Sequence, residues 1–270
     1  MLDQYKDQGY EKLPSFFTET QMRSLEYSIT WLYHTQCQKI GEYRKVPLNF
    51  KSIVNSLEET DKSALYEAFR MLPQSPMVRN LFGHEFLTKL GQYTNAAHDA
   101  ILMDGPSLFI NVPKSNRIKA KWHTEALYYP KRRNFVNIWM PIFTDRTAAN
   151  GAMVILPQSH KQSWDASMFA EYSGYDKASE GKRDHLRQYE IPEYFLKDYT
   201  KHTCESVRGD IYVFNRNLVH TSADNTTNDP SFALVVRLFD VTNDITLSAD
   251  LCVTPYSGND VGRSNLVVKP

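Results

Sequence analysis

The feature that most constrains this chain is a change of texture near residue 100. Before it, apolar residues recur at helical spacing. After it, short β-branched and aromatic runs stand between turn residues. Thr18 precedes apolar positions at Met22, Leu25, Ile29, Leu32 and Tyr33, and Thr18 with Gln21 has the spacing of a capping box. A second helix is predicted around Phe50, Ile53, Val54 and Leu57. A third is predicted from Asp61 through Leu65, Phe69 and Leu72, where Pro73 ends it. Shorter helical pieces are predicted at 77–81 and 86–90. The second texture holds SLFINV (107–112), RIKAKWH (117–123), NFVNIWMPIF (134–143), GAMVILP (151–157), DIYVFN (210–215), FALVVRLFDV (232–241) and LSADLCV (247–253). Short strands in this number, without regular helices between them, predict an antiparallel sandwich or barrel. The polar stretch 160–203 is too long for a hairpin loop and predicts a lid or binding loop.

Composition narrows the function classes. At 270 residues the chain is near the size at which one core stops growing, so a single domain is expected. Its 31 Lys+Arg balance 31 Asp+Glu, leaving no global basic field for nucleic acid. Hydrophobic residues at 41% and aromatics at 13% suit a packed core, not a disordered chain. Cys37, Cys204 and Cys252 are odd in number and far apart, which argues against a disulfide framework or a thiolate zinc site and for a reducing, cytoplasmic setting. No run approaches the ~18 apolar residues of a membrane span. The opening MLDQYKDQGYEKLP carries charges where a secretory leader needs an apolar core.

The sharpest chemical feature is His123-Thr124-Glu125. On a strand, residues i and i+2 share a face, so an imidazole nitrogen and a carboxylate oxygen could meet one metal ion. Such a pair is common by chance, but the later half supplies a partner. Gly209-Asp210 opens a strand that leads to His220, with Ser222, Asn225 and Arg237 beyond it. Two histidines and one carboxylate form a facial triad that leaves open positions on Fe(II), and the lack of thiolates disfavours structural zinc.

At these residues the sequence resembles the phytanoyl-CoA dioxygenase-like branch of the Fe(II)/2-oxoglutarate oxygenases. The resemblance rests on YKDQGYEKLPSFFTETQMRSL, KWHTE, FVNIWMPIFTDRTAANGAMVILPQSHK and RGDIYVFNRNLVHTSADNT, in that order. It implies a mainly β fold with α: a double-stranded β-helix (jelly-roll, cupin-like) core under an N-terminal helical layer. The implied layout is a single domain over 1–270, with the helical layer at 1–95, the core at 96–255 with an insertion at 160–203, and a tail at 256–270. It implies iron ligation by His123, Glu125 and His220, a 2-oxoglutarate pocket lined by Trp139, and polar contacts to the co-substrate from Thr124 and Ser222. The cofactors implied are Fe(II), 2-oxoglutarate and dioxygen. The reaction implied is hydroxylation of a small molecule, with an anionic, sugar or natural-product substrate in view.

Two departures from the family pattern stand out. Glu125 occupies a position where aspartate is usual; it keeps the charge and donor oxygen and leaves no room for a halide. The arginine that the family places about eleven residues after the distal histidine, to hold the distal carboxylate of 2-oxoglutarate, is missing. That neighbourhood reads Pro230-Ser231-Phe232. The nearest arginine, Arg237, shares strand parity with Ser231 but lies ~20 Å further along an extended strand. Arg237 is therefore the expected replacement, with Lys119 and Lys121 as alternatives and an ion pair with Asp240 as its structural role. The basic stretch 114–133 could draw an anionic substrate. Tyr128 and Tyr129, with 160–203, are expected to wall the substrate. The missing arginine also leaves two other readings open: a non-catalytic metal-binding β-barrel, or an iron oxygenase that does not use 2-oxoglutarate.

Overall fold

Two strands are buried on both faces, which explains why their sequences show no polar alternation. They are β3 (Phe135–Ile142) and β8 (Ser231–Asp240), and every residue of each is buried. The structure, a computed structural model, describes residues 2–39, 41, 49–60, 68, 71–94, 101–113, 120–129, 132, 134–169 and 190–240. Within these residues β3 and β8 pair with each other and with β1 (Tyr10–Leu13), β6 (Ile211–Asn215) and β2 (Ile101–Asn111) in one antiparallel sheet of order β1-β6-β3-β8-β2. A smaller antiparallel sheet has the order β5-β4-β7, from His202–Thr203, Met153–Ile155 and His220–Ser222.

The large sheet separates two apolar clusters. On its outer face Val136, Ile138, Met140, Ile142, Leu234, Val236 and Leu238 pack against helices. These are α1 (Leu2–Gln8), α2 (Glu19–Lys39), α3 (Phe50–Thr60), α4 (Pro76–Leu81) and α5 (His84–Leu90). The predicted stripe on α2 is buried at Met22, Leu25, Ile29 and Tyr33. Its capping box forms, with Thr18 N–H donating to Gln21 Oε1 at 2.9 Å and Gln21 N–H to Thr18 Oγ at 3.3 Å. On the inner face Trp139, Tyr212, Phe214, Ala233 and Val235 meet Met153 and Ile155 of the small sheet. The architecture is thus mixed helix and antiparallel sheet, with helices against one face of the large sheet and strands against the other. Among the described residues no helix is long and apolar enough to cross a membrane.

Several local expectations shift. β2 begins at Ile101, six residues before the predicted run, because Asp104-Gly105-Pro106 sits at a register slip between Asp104 and Ser107 and not at a turn. The predicted strand over 117–123 is described only from residue 120. There His123 alone makes a bridge, exchanging backbone hydrogen bonds with His220 at 3.0 and 2.9 Å. Most of the helix expected from Asp61 lies outside the described residues, as do the strand at 247–253, the tail at 256–270 and residues 170–189 of the long insertion. The described ends of that insertion carry short 3-10 turns at Ser159–Lys161, Ala166–Phe169 and Glu193–Leu196.

Candidate metal centre

Glu125 does not stand on a strand beside His123. Thr124 is extended (φ −121°, ψ 150°) and Glu125 opens a one-turn helix, α6 (Glu125–Tyr128). The turn still swings the carboxylate back to the imidazole. Glu125 Oε1 lies 3.7 Å from His123 Nε2 and 3.8 Å from His220 Nε2. Both gaps are shorter than the ~4.2 Å that two metal–ligand bonds of about 2.1 Å can span. His123, Glu125 and His220 form a three-residue group that could hold an ion, and all three are buried. Trp122 and Val219, next to the two histidines in sequence, and Leu127, two after Glu125, are buried with Leu156, Trp164 and Phe169 in a third apolar cluster.

The second nitrogen of each ring is tied to the backbone. His123 Nδ1 lies 2.6 Å from the Lys121 carbonyl and His220 Nδ1 lies 3.0 Å from the Leu218 carbonyl. A carbonyl can only accept, so Nδ1 carries the proton and Nε2 presents a lone pair to the centre. Burial, with His123 beside it, pushes the His220 imidazole down to about 3, so it stands neutral and ready to ligate. For Glu125, burial alone raises the pKa. The Arg237 guanidinium outweighs burial and holds the carboxyl well below the usual carboxylate range.

That guanidinium is not free. Arg237 Nε and Nη2 both reach Glu125 Oε2 at 2.9 Å. One carboxylate oxygen is held by arginine and the other faces the histidines. The expected strand parity is correct, since Arg237 shares the inner face with Ser231, but its partner is the metal-site carboxylate and not Asp240. Tyr129 lies under the same guanidinium at 5.3 Å, and Tyr128 meets His123 edge-on at 5.4 Å.

The other predicted positions divide. Trp139 is buried on the inner face, edge-on to Tyr212 at 6.0 Å. Thr124 is wholly buried with its hydroxyl unpartnered. Ser222 is half-buried at the end of β7, opposite Met153. Lys121 turns outward and pairs with Glu190, so only its backbone carbonyl serves the site. Lys119 lies outside the described residues, as do Lys114, Arg117, Lys131 and Arg133 of the basic stretch.

Two inner-face residues escaped the sequence reading. Asn137, on β3 opposite both Arg237 and Phe214, is fully buried with neither amide atom partnered. Arg146, in the segment after β3, is buried with its guanidinium 5.9 Å from the Trp139 ring. For Asn137 the signal was a lone polar residue inside an apolar strand. For Arg146 the sequence held no periodic signal, because it lies outside the regular strands.

Comparison with known proteins agrees with this geometry. The fold is similar to that of EctD from S. alaskensis, solved with 2-oxoglutarate and 5-hydroxyectoine. That match has 15% identity and a TM-score of 0.56 over 89% of this chain and 75% of that one. It is also similar to SnoK, a non-haem α-ketoglutarate-dependent carbocyclase from nogalamycin biosynthesis, at 15% identity and a TM-score of 0.54 over 88% and 82%. EvdO2 from Micromonospora carbonacea var. aurantiaca, complexed with 2-oxoglutarate, matches at 14% identity and a TM-score of 0.52 over 88% and 89%. No curated protein matches in sequence. The profile of the family described as Phytanoyl-CoA dioxygenase (PhyH) matches residues 5–232, and the chain belongs to that family.

Proposed function

We propose that the protein is a mononuclear non-haem Fe(II) oxygenase that uses 2-oxoglutarate and dioxygen to hydroxylate a small molecule. The observation that carries this reading is the convergence of His123 Nε2, His220 Nε2 and Glu125 Oε1, with no thiolate among them. Imidazole and carboxylate donors suit Fe(II) and leave part of its coordination sphere for co-substrate and oxygen. The inner face also fits a polar co-substrate, because Asn137 of β3 leaves both amide atoms without a protein partner, as does the buried Thr124 hydroxyl beside the ligands in sequence. The chemistry such an ion supplies is activation of dioxygen for attack on a C–H bond.

The chain's own residues prepare that centre. The Lys121 and Leu218 carbonyls fix which nitrogen each histidine presents. Arg237 fixes which oxygen Glu125 presents. The Trp122 cluster buries the sequence neighbours of both histidines. Trp139, Ser222 and Thr124 line the co-substrate side. The two sheets are read as the halves of a double-stranded β-helix within a single domain over 1–270, under a helical layer at 1–95, with an insertion at 160–203 in the core at 96–255 and a tail at 256–270. SnoK belongs to nogalamycin biosynthesis and EctD was solved with 5-hydroxyectoine, which supports a small-molecule substrate here.

The test is turnover without added substrate. With Fe(II), 2-oxoglutarate and oxygen, slow succinate release is expected, together with a visible charge-transfer band when the protein, Fe(II) and 2-oxoglutarate are mixed anaerobically. Absence of both succinate and the band overturns the reading in favour of a metal-binding module. Substrate-dependent oxygen uptake without succinate favours an iron oxygenase of another kind.

A further inference from the structure

A buried arginine without a carboxylate stands out on the inner face. Arg146 Nη1 donates to Ser231 Oγ, and Nη2 donates to the Gly151 carbonyl at 2.5 Å. Its Nε is buried with no partner. Both partners are neutral and already engaged: Ser231 Oγ donates to the Asn150 carbonyl at 2.5 Å, and Asn111 Nδ2 donates to the Gly151 carbonyl at 3.3 Å. Among the described residues no carboxylate is paired with Arg146. A buried cation without a counter-charge carries a large desolvation cost, and proteins rarely hold one without an anion to meet it.

The surroundings say where that anion sits. Arg146 is held in place by its backbone, which exchanges hydrogen bonds with Ser206 at 2.8 and 2.9 Å. Its guanidinium touches Ser231, the first residue of β8, on the face shared with Ala233, Val235 and Arg237. The Trp139 ring, a member of the inner cluster, lies 5.9 Å from this guanidinium. Ser231 also stands eleven residues after His220, where this chain lacks a basic side chain. The serine is small, and the arginine entering from the neighbouring segment occupies the space beside it.

We propose that Arg146 is the cation that receives the distal carboxylate of 2-oxoglutarate, reaching from the segment after β3 to the site that Ser231 leaves without charge. The assignment rests on the co-substrate reading given above. Arg237, committed to Glu125, is then a positioning residue for the metal ligand. Arg146 contacts the co-substrate through a forked, charge-assisted pair of hydrogen bonds.

The experiment compares two 2-oxo acids on the Mn(II)-loaded protein without oxygen, by calorimetry. 2-Oxoglutarate has the distal carboxylate and 2-oxopentanoate lacks it. Wild type is expected to favour 2-oxoglutarate by on the order of 100-fold. In Arg146→Met that preference collapses to within a few-fold, while Mn(II) affinity and the weak 2-oxopentanoate binding persist. Arg146→Lys keeps the charge but loses the fork and falls between. Arg146→Ser combined with Ser231→Arg moves the cation back onto β8 and regains at least part of the preference. A purely structural arginine predicts that both acids weaken together and that the transplant regains nothing. Unchanged discrimination in Arg146→Met overturns the assignment. Wild type that binds Mn(II) but neither acid overturns the co-substrate reading itself, and the assignment with it. Should Arg146→Met fail to fold, Arg146→Lys and the transplant decide.

Discussion

Two buried arginines face the same interior, and they differ in what they meet. Arg237 puts two nitrogens on one oxygen of Glu125 at 2.9 Å. Arg146 meets a hydroxyl and a carbonyl and leaves its Nε unpartnered. Burial acts alike on both, but only Arg237 has a carboxylate to offset it. Among the described residues Arg146 has none, and its guanidinium is pushed down to about 10 by burial. The difference teaches that residue type and strand parity identify a candidate cation, whereas the nearest carboxylate identifies its task. One arginine completes a charge balance within the protein. The other holds a charge in reserve for a ligand.

The largest break in this comparison is Glu125→Ala. It removes a metal ligand and also strands the Arg237 charge. Metal affinity should fall by more than the about 10–100-fold that changes around a ligand cost. The metal-free protein should lose about 3–5 kcal/mol, because one member of a buried pair is left uncompensated. Adding Arg237→Met to Glu125→Ala should recover much of that stability without restoring metal, since the stranded cation goes as well. Mn(II) titration and denaturant melts read the two effects separately. A double variant no more stable than Glu125→Ala would show that the pair is not coupled as the geometry indicates.

Arg237→Met is the next break. Glu125 then keeps its burial and loses its strongest stabilising partner. Metal binding should weaken by about 10–100-fold, while the preference for 2-oxoglutarate over 2-oxopentanoate stays. The pH dependence has a definite sign. In the metal-free wild type the folded pKa of Glu125 is depressed, so its contribution is present above the unfolded value of about 4.3 and is lost as pH falls toward the folded value. Without Arg237, burial alone acts and raises the folded pKa, so the variant instead loses stability as pH rises above about 4.3. The gap between wild type and variant should therefore widen from pH 4 to pH 7. A gap that is constant across that range would remove Arg237 from control of Glu125.

The contrast between the arginines also marks how far the residues alone could be read. The α2 stripe and its cap and the apolar runs of β3 and β8 were legible, because periodicity and local spacing encode them. The parity of Arg237 was legible for the same reason. Its partner was not, because Glu125 is 112 residues away and turns toward it only through the single turn of α6. The grouping of His123, Glu125 and His220 was legible only through the family resemblance, because strand spacing put Glu125 on the wrong element: it opens a one-turn helix. β2 was read short, since Gly105 and Pro106 look like a turn when they in fact belong to an irregular strand. Arg146 was invisible because its role depends on tertiary packing. Nothing in its own segment marks it until β8 brings Ser231 to its guanidinium.

Lys121 provides the mildest test, and it bears on whether the two arginines suffice. By parity with His123 it was a candidate cation for the co-substrate. In the fold its side chain lies 53% exposed against Glu190, and only its backbone carbonyl, through His123 Nδ1, serves the centre. An exposed pair of this kind is worth about 0–1 kcal/mol, and truncation leaves the carbonyl in place. Lys121→Ala should therefore leave Mn(II) affinity and the 2-oxo acid preference within about twofold of wild type, with a melting temperature close to unchanged. A loss of 2-oxoglutarate preference in this variant would mean that the side chain swings inward when the co-substrate binds. The reserve of charge would then be shared, and the sharp division between Arg146 and Arg237 would have to be redrawn around three cations.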